Sequence, residues 1–267
     1  MPFQTIYTSG TGMLGMEKKL NVISNNLANM ETTGFKKQRC NFEDLFYDNL
    51  KYPGSQDVNN EFAATGIAVG VGTRVTSIQT DFTQGSLKET ERPLDVAIAG
   101  EGFFRVIDPN SGNIMYTRAG NMSINSNGAF VMGSGHTGRL VDPEVTVPPE
   151  SIHIDIREDG TVWYKTQEEM PLQQAGQFQL TTFINPEGLL RLGENLFQET
   201  DSSGAPNDVN PMENGGGKIM QKMVEMSNVS PVNELIDMIT SQRAYELNSK
   251  STQTGDQLLQ TVISIKR

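Results

Sequence analysis

One cysteine and two histidines occur in the 267 residues, and each scarcity removes a class of function. A lone Cys40 cannot close an internal disulfide, so no covalent staple holds the chain and the redox compartment is left open. His136 and His153 lie too far apart in sequence for ligand spacing, and no cysteine cluster supplements them, so no zinc site is expected. His136 sits in a Gly-Ser-Gly-His-Thr-Gly turn, and His153 alternates with Ile152 and Ile154 along a strand. Basic residues are the minority, 21 Lys and Arg against 32 Asp and Glu, for a net charge of −11. Phosphate neutralisation needs the opposite balance, so nucleic acid and anionic membrane surfaces are excluded as default partners. No apolar run approaches the roughly 18 residues of a membrane span. The opening Met-Pro-Phe-Gln-Thr-Ile has neither the basic nor the apolar region of a cleaved secretory signal. Aromatic residues are 7% and apolar residues 36%, lean for a compact enzyme but too rich for a disordered chain.

Motifs of catalysis are missing as well. Gly66, Gly70 and Gly72 do not make a phosphate loop, and Gly215-Gly216-Gly217-Lys218 lacks the spaced glycine and the hydroxyl residue of one. Asp108 to Asn113 resembles a calcium loop only faintly: its glycine is misplaced and the closing Glu is absent, so a tight turn is expected. No Gly-x-Ser-x-Gly elbow occurs. The reading is therefore no enzyme, with no catalytic, metal or cofactor-binding residue and no cofactor.

What is present is glycine and proline, 26 and 12 residues, concentrated between two helical ends. The spacing predicts a helix over residues 3–30. From Met13 its apolar positions step by three and four through Met16, Leu20, Ile23 and Leu27, a heptad seam that Ile6 extends towards the start. Thr33-Gly34-Phe35 reads as the helix stop. Residues 41–72 read as an extended arm or linker, broken at Tyr52-Pro53-Gly54 and polar from Gln56 to Ala64.

Residues 73–211 read as an antiparallel β domain. Met122 and Ile124 lead through Asn127-Gly128 to Phe130 and Met132, and Ile152 to Ile156 lead through Asp159-Gly160 to Val162 and Tyr164. Both are hairpin patterns. Gln177 to Phe183 is a further strand candidate. Residues 212–230, with their glycine run, read as a flexible return joint. Residues 231–267 read as a second helix, with Ser230 as N-cap and Pro231 in its first turn. Its stripes include Leu235, Ile239, Leu259 and Ile263. The expected fold is therefore α+β: domain 1–40 and domain 231–267 pair as a coiled coil and carry the β domain. One intramolecular pairing satisfies such seams only in part and leaves apolar surface for neighbouring subunits.

Three signatures carry a resemblance. Asn25, Asn26, Leu27, Ala28 and Asn29, then Thr33, Gly34, Phe35 and Lys36, resemble the N-terminal signature of the bacterial flagellar rod and hook protein family. Gly100 to Val106 and Tyr116-Thr117-Arg118-Ala119-Gly120 resemble its β-domain signature. Ser227-Asn228-Val229 with Gln242, Arg243, Ala244 and Tyr245 resemble its C-terminal one. Phe42-Glu43-Asp44-Leu45, Gly193 to Phe197 and Ser202 to Asn207 are most similar to members that build the distal part of the rod, with proximal rod or hook subunits as the alternative. The arm at residues 47–64 stands where distal-rod members carry an extra stretch that bridges subunits.

The resemblance implies a homo-oligomeric, rigid hollow helical tube. Its terminal helices line an export channel, and it transmits motor torque to the hook. It further implies export without a cleaved signal peptide, a place in the basal body across the periplasm, and a set of partners. These are proximal rod proteins, the hook protein, the surrounding basal-body rings and the flagellar export apparatus.

Overall fold

The computed structural model describes residues 2–54, 64–109, 111–132, 138–167 and 171–265. The chain divides into two compact units. Met1–Ala28, Gln38–Thr80 and Ser230–Arg267 form the first, and Asn29–Lys37 with Asp81–Val229 form the second.

The first unit holds two long helices, α1 (Pro2–Ala28) and α2 (Pro231–Ile265). Each has proline at its start, where the missing N–H would be unpaired anyway. The Glu234 N–H donates to the Ser230 carbonyl at 3.0 Å, which opens α2. Two antiparallel ladders lie between the helices in sequence. β1 (Gln38–Asp44) pairs with β4 (Thr73–Thr80), and β2 (Tyr47–Lys51) pairs with β3 (Ile67–Gly70). The stretch expected as an extended arm is thus paired strand on both sides of residues 55–63, which lie outside the described residues. Periodicity could not show β2 and β3, whose side chains are almost all exposed: Leu50 is 55% exposed, and no alternation of buried and solvated positions marks that pair.

The second unit contains the remaining strands: β5 (Leu87–Glu89), β6 (Val96–Ala99), β7 (Phe103–Ile107), β8 (Ile114–Thr117), β9 (Met122–Ile124), β10 (Phe130–Met132), β11 (Arg139–Asp142), β12 (His153–Ile156), β13 (Thr161–Lys165), β14 (Gln173–Gln177), β15 (Leu180–Thr182), β16 (Leu190–Gly193), β17 (Leu196–Gln198), β18 (Asn207–Val209), β19 (Lys218–Gln221) and β20 (Met223–Glu225). The largest sheet runs β16-β17-β8-β7-β11-β10-β9, and β15 bridges β7 and β18 beside that path. β12-β13-β14 form a second sheet, and β6 with β19 and β5 with β20 form two ribbons.

The hairpin patterns fold as their alternation predicts. Phe130 stands opposite Ile124, and Ile156 opposite Val162. At the first turn the Asn125 carboxamide accepts from the N–H groups of Asn127 and Ala129, and Gly128 takes φ 83°. The candidate strand at 177–183 breaks at Phe178, which turns into the core between β14 and β15. The core is Phe104, Val106, Phe130, Phe178, Leu180 and Ile219 with their neighbours, all nearly inaccessible. A smaller aromatic cluster sets Phe82 and Phe197 against Phe103 at ring distances of 5.5 and 5.9 Å.

Three boundaries differ from the sequence expectation. β4 belongs to the first unit, because it pairs with β1 rather than with the β domain. Residues 29–37 belong to the second unit. The glycine run does not read as a loose joint: Gly216 N–H donates to Glu213 O at 2.8 Å and Gly217 N–H to Glu101 O at 2.7 Å. The chain then continues directly into β19 and β20.

Candidate assembly surface and the residues that position it

The two helices of the first unit meet through small and polar side chains. α1 buries Ser9, Gly12, Gly15, Val22, Ile23 and Asn26, of which Ser9, Gly12 and Asn26 meet α2 while Gly15 lies against Phe42 and Thr73; α2 buries Glu234, Ser241 and Gly255. Ser9 Oγ donates to Ser251 Oγ at 3.0 Å. A Cβ on Gly12 would stand 2.9 Å from the Asn248 amide nitrogen, so any side chain there must displace that amide. Thr11 Oγ1 accepts from the Thr73 N–H at 3.3 Å and ties α1 to the start of β4.

The apolar stripe of α2 lies on its other face. Leu235 is 46%, Ile239 52% and Ile263 65% exposed, and Val232, Ile236, Leu258 and Val262 are exposed beside them. Leu235, Ile239 and Ile263, expected to pack between subunits, are thus exposed in the single chain. Glu234 and Ser241, a fraction of a turn away, are the buried positions, and Glu234 bonds Asn26 of α1. Leu259 is half-buried. On α1 only Ile23 among the expected positions is fully buried; Ile6, Met13, Met16, Leu20 and Leu27 are half-buried.

The signature residues divide by role. Asn26 is 1% exposed and Asn25 lies outward. The Asn26 amide donates to Gln38 O at 2.8 Å and to Glu234 Oε2 at 3.1 Å, and its oxygen accepts from Gln38 N–H at 2.9 Å. One side chain thereby pairs with both backbone groups of a β1 residue and with α2. Leu27 is half-buried and Ala28 exposed at the end of α1, and Asn29 accepts the Thr32 N–H in the turn that follows. Gln242, Arg243 and Tyr245 face solvent and Ala244 is half-buried.

The second half of the N-terminal signature folds into the second unit. Gly34 is not the helix stop, because α1 ends at Ala28. Its φ is +71°, its N–H donates to Glu225 O at 2.8 Å, and a Cβ would lie 2.6 Å from the Ala119 nitrogen. Thr33 O accepts from Asn195 Nδ2 at 3.0 Å. Phe35 is buried, with the Arg191 guanidinium 5.1 Å from its ring centre.

Lys36 follows, 1% exposed, and its Nζ donates to Glu225 Oε1 at 2.6 Å and to Thr83 O at 2.8 Å. Arg118 Nε donates to Glu225 Oε2 at 2.8 Å, and the rest of its guanidinium reaches the carbonyls of Gly100 and Gly102. Gly85 N–H donates to Glu225 Oε1 at 2.9 Å. Burial pushes the Glu225 carboxyl up, but Arg118 and Lys36 outweigh it and hold it below the usual carboxylate range. Beside this cluster Asn228 accepts from Lys37 N–H at 2.8 Å and donates to Asp81 O at 2.9 Å and Thr83 Oγ1 at 3.0 Å. Residues from the N-terminal and β-domain signatures thus converge on one buried carboxylate, and Asn228 of the C-terminal signature braces the backbone beside it. Spacing alone did not show that centre. The one signal was Lys, Arg and Glu standing inside otherwise apolar or small-residue stretches.

Among the described residues no group of three or more His, Cys, Asp or Glu side chains is placed to hold a metal ion. His153 is exposed on β12, and His136 lies outside the described residues. Asp108 to Asn113 is a turn in which Ser111 Oγ donates to Asp108 Oδ2 at 2.8 Å, with Asn110 outside the described residues. No helix is long and apolar enough to cross a membrane among the described residues.

Comparison with known proteins assigns the same segments. Residues 6–36 match the family described as flagella basal body rod protein, and residues 97–164 match the flagellar hook protein FlgE/F/G D1 domain. Residues 220–265 match the flagellar basal body rod FlgEFG protein C-terminal family. Proteins named flagellar basal-body rod protein FlgG are similar along nearly their whole length. The relative from Buchnera aphidicola subsp. Schizaphis graminum is 44% identical over 256 residues, covering 96% of this chain and 97% of its own. That from Caulobacter vibrioides is 41% identical over 264 residues, 98% and 99% of the two chains, and that from Bacillus subtilis is 34% identical over 267 residues, 99% of each.

Proposed function

The chain belongs to the flagellar basal-body rod protein family, a structural family and not an enzymatic one, and from that premise we propose that it builds the distal rod. In this reading copies of the chain assemble into a rigid hollow helical tube. It crosses the periplasm, carries torque to the hook, encloses the export channel and contacts proximal rod proteins, the hook protein and the basal-body rings. The subunits leave through the flagellar export apparatus without a cleaved signal.

One observation carries the assembly claim: the uncovered stripe on α2. Leu235, Ile236 and Ile239 lie exposed on one helical face among the described residues, while Glu234 on a different face of the same helix meets α1. Exposed apolar side chains at helical spacing are a recognition surface, and burying the remaining half of each stabilises by about 1 kcal/mol. The half-buried Ile6, Met13, Met16, Leu20 and Leu27 on α1 and, on α2, the half-buried Leu259 and exposed Ile263 extend the packing surface offered to neighbouring copies. The ribbon with Phe46 and Leu50 is a second such surface, and in this reading it bridges subunits as the distal-rod stretch does.

A double substitution, Leu235→Asp with Ile239→Asp, tests the reading. The soluble subunit should unfold within about 0.5 kcal/mol of the unaltered chain, since both positions are exposed. Cells carrying it should be non-motile, with basal bodies that stop before the distal rod. Normal motility and complete rods in those cells would sink the proposal.

A further inference from the structure

The pairing of α1 with α2 poses a physical question. α2 has two faces able to meet a partner helix, one apolar through Leu235, Ile239 and Ile263 and one polar through Glu234, Ser241 and Gly255. α1 offers half-buried Ile6, Met13, Met16 and Leu20, which would pack against the apolar face with a larger hydrophobic gain. The polar face is nevertheless the one turned inward. Its contacts keep a strict antiparallel register. In the pairs Ser9 with Ser251, Gly12 with Asn248 and Asn26 with Glu234, each step forward along α1 is matched by an equal step back along α2.

Of these three contacts, only that of Asn26 is a buried hydrogen bond between groups that cannot be left without one. Asn26 is 1% and Glu234 2% exposed. The Asn26 amide is aimed by β1: the Gln38 backbone takes one N–H and the carbonyl oxygen, which leaves the second N–H pointing at Glu234 Oε2. A slip of one heptad would set Asn26 opposite Ser241 and leave the Glu234 carboxylate without its amide donor. Rotating α2 to bring its apolar stripe inward would do the same. A buried polar pair costs stability relative to apolar packing, yet it penalises every arrangement that breaks it.

We propose that Asn26, held by Gln38 and acting on Glu234, is the positioning residue that locks the register and face of the α1–α2 pairing and so keeps the apolar stripe of α2 outward. The inference concerns one chain and does not depend on rod assembly.

The test uses the full chain with Cys40→Ser and two alternative cysteine pairs. Ser9→Cys with Ser251→Cys reports the observed register, and Ser9→Cys with Leu258→Cys reports a slip of one heptad. Under copper–phenanthroline oxidation the first pair should close and the second should not. Asn26→Asp then places a second carboxylate where the amide donated to Glu234. The Ser9–Ser251 crosslink should fall by roughly tenfold or more, as two facing buried carboxylates imply. Adding Glu234→Gln returns a donor to the pair and should restore the crosslink. Asn26→Leu should allow the Leu258 crosslink to form. An unchanged Ser9–Ser251 yield in Asn26→Asp overturns the proposal. So does a loss that Glu234→Gln fails to recover, because a merely structural defect at residue 26 would not be mended from α2.

Discussion

Glu225 gives the second unit an acid response through a buried carboxylate. Its folded value is held below the ordinary range by Arg118 and Lys36. The stability it contributes is therefore fully present above the unfolded value, about 4.3, and is lost as pH falls through the lowered folded value. Urea titrations should show a midpoint that is flat near neutrality and declines below about pH 4.5. Glu225→Gln should cost about 3–5 kcal/mol at pH 7, because it strips two buried cations of their counter-charge. The variant should also flatten the acid decline, and a decline as steep as that of the unaltered chain would assign the acid response to other carboxylates. Gly34 is the second residue whose identity follows from place. At φ +71° and 2.6 Å from the Ala119 nitrogen, Gly34→Ala should cost about 1–3 kcal/mol in thermal unfolding, through left-handed strain and a backbone clash.

At the scale of elements, α2 shows how an amphipathic reading succeeds and misleads together. The three-and-four spacing of Leu235, Ile239 and Ile263 identifies a helix with an apolar face, and the helix is there. It does not say which face the chain itself covers, because Glu234 acquires value only through Asn26, far away in sequence. Gly12 offers a graded check on that close approach. Gly12→Ala meets only the mobile Asn248 side chain and regains helix propensity worth about 1 kcal/mol, so it should be near neutral. Gly12→Leu should prise the helices apart and lower the helical circular dichroism signal, and unchanged helicity would mean that the contact does not limit pairing. The β2–β3 pair was illegible for a different reason. Its ladder is held by backbone bonds while its side chains stay largely in water, so the alternation that betrays a half-buried strand is absent.

Across the whole molecule apolar burial is unequal. In the first unit Val22 and Ile23 are the fully buried aliphatic side chains among the described residues, whereas the second unit buries Phe104, Phe130, Phe178 and many more. Since burial scales stability, the units should unfold separately. Trp163, the only tryptophan, lies on β13 beneath the Arg157 guanidinium, 4.6 Å from its ring centre, and reports the second unit alone. Helical ellipticity should be lost at lower urea than Trp163 fluorescence, and coincident curves would show a single cooperative fold. Sequence alone determined the order of elements: long helices at both ends, an antiparallel β middle, hairpins at Asn127-Gly128 and Asp159-Gly160, and three family signatures in sequence. These are local properties, written in periodicity, turn chemistry and motif. The tertiary structure decided which face of α2 turns inward, that Gly34 and Lys36 belong to the β unit rather than to the helix, and that Lys36, Arg118 and Glu225 meet. Each of those rests on a hydrogen bond or ion pair between residues far apart in the chain, and the energy of a buried charge depends on what stands next to it in space.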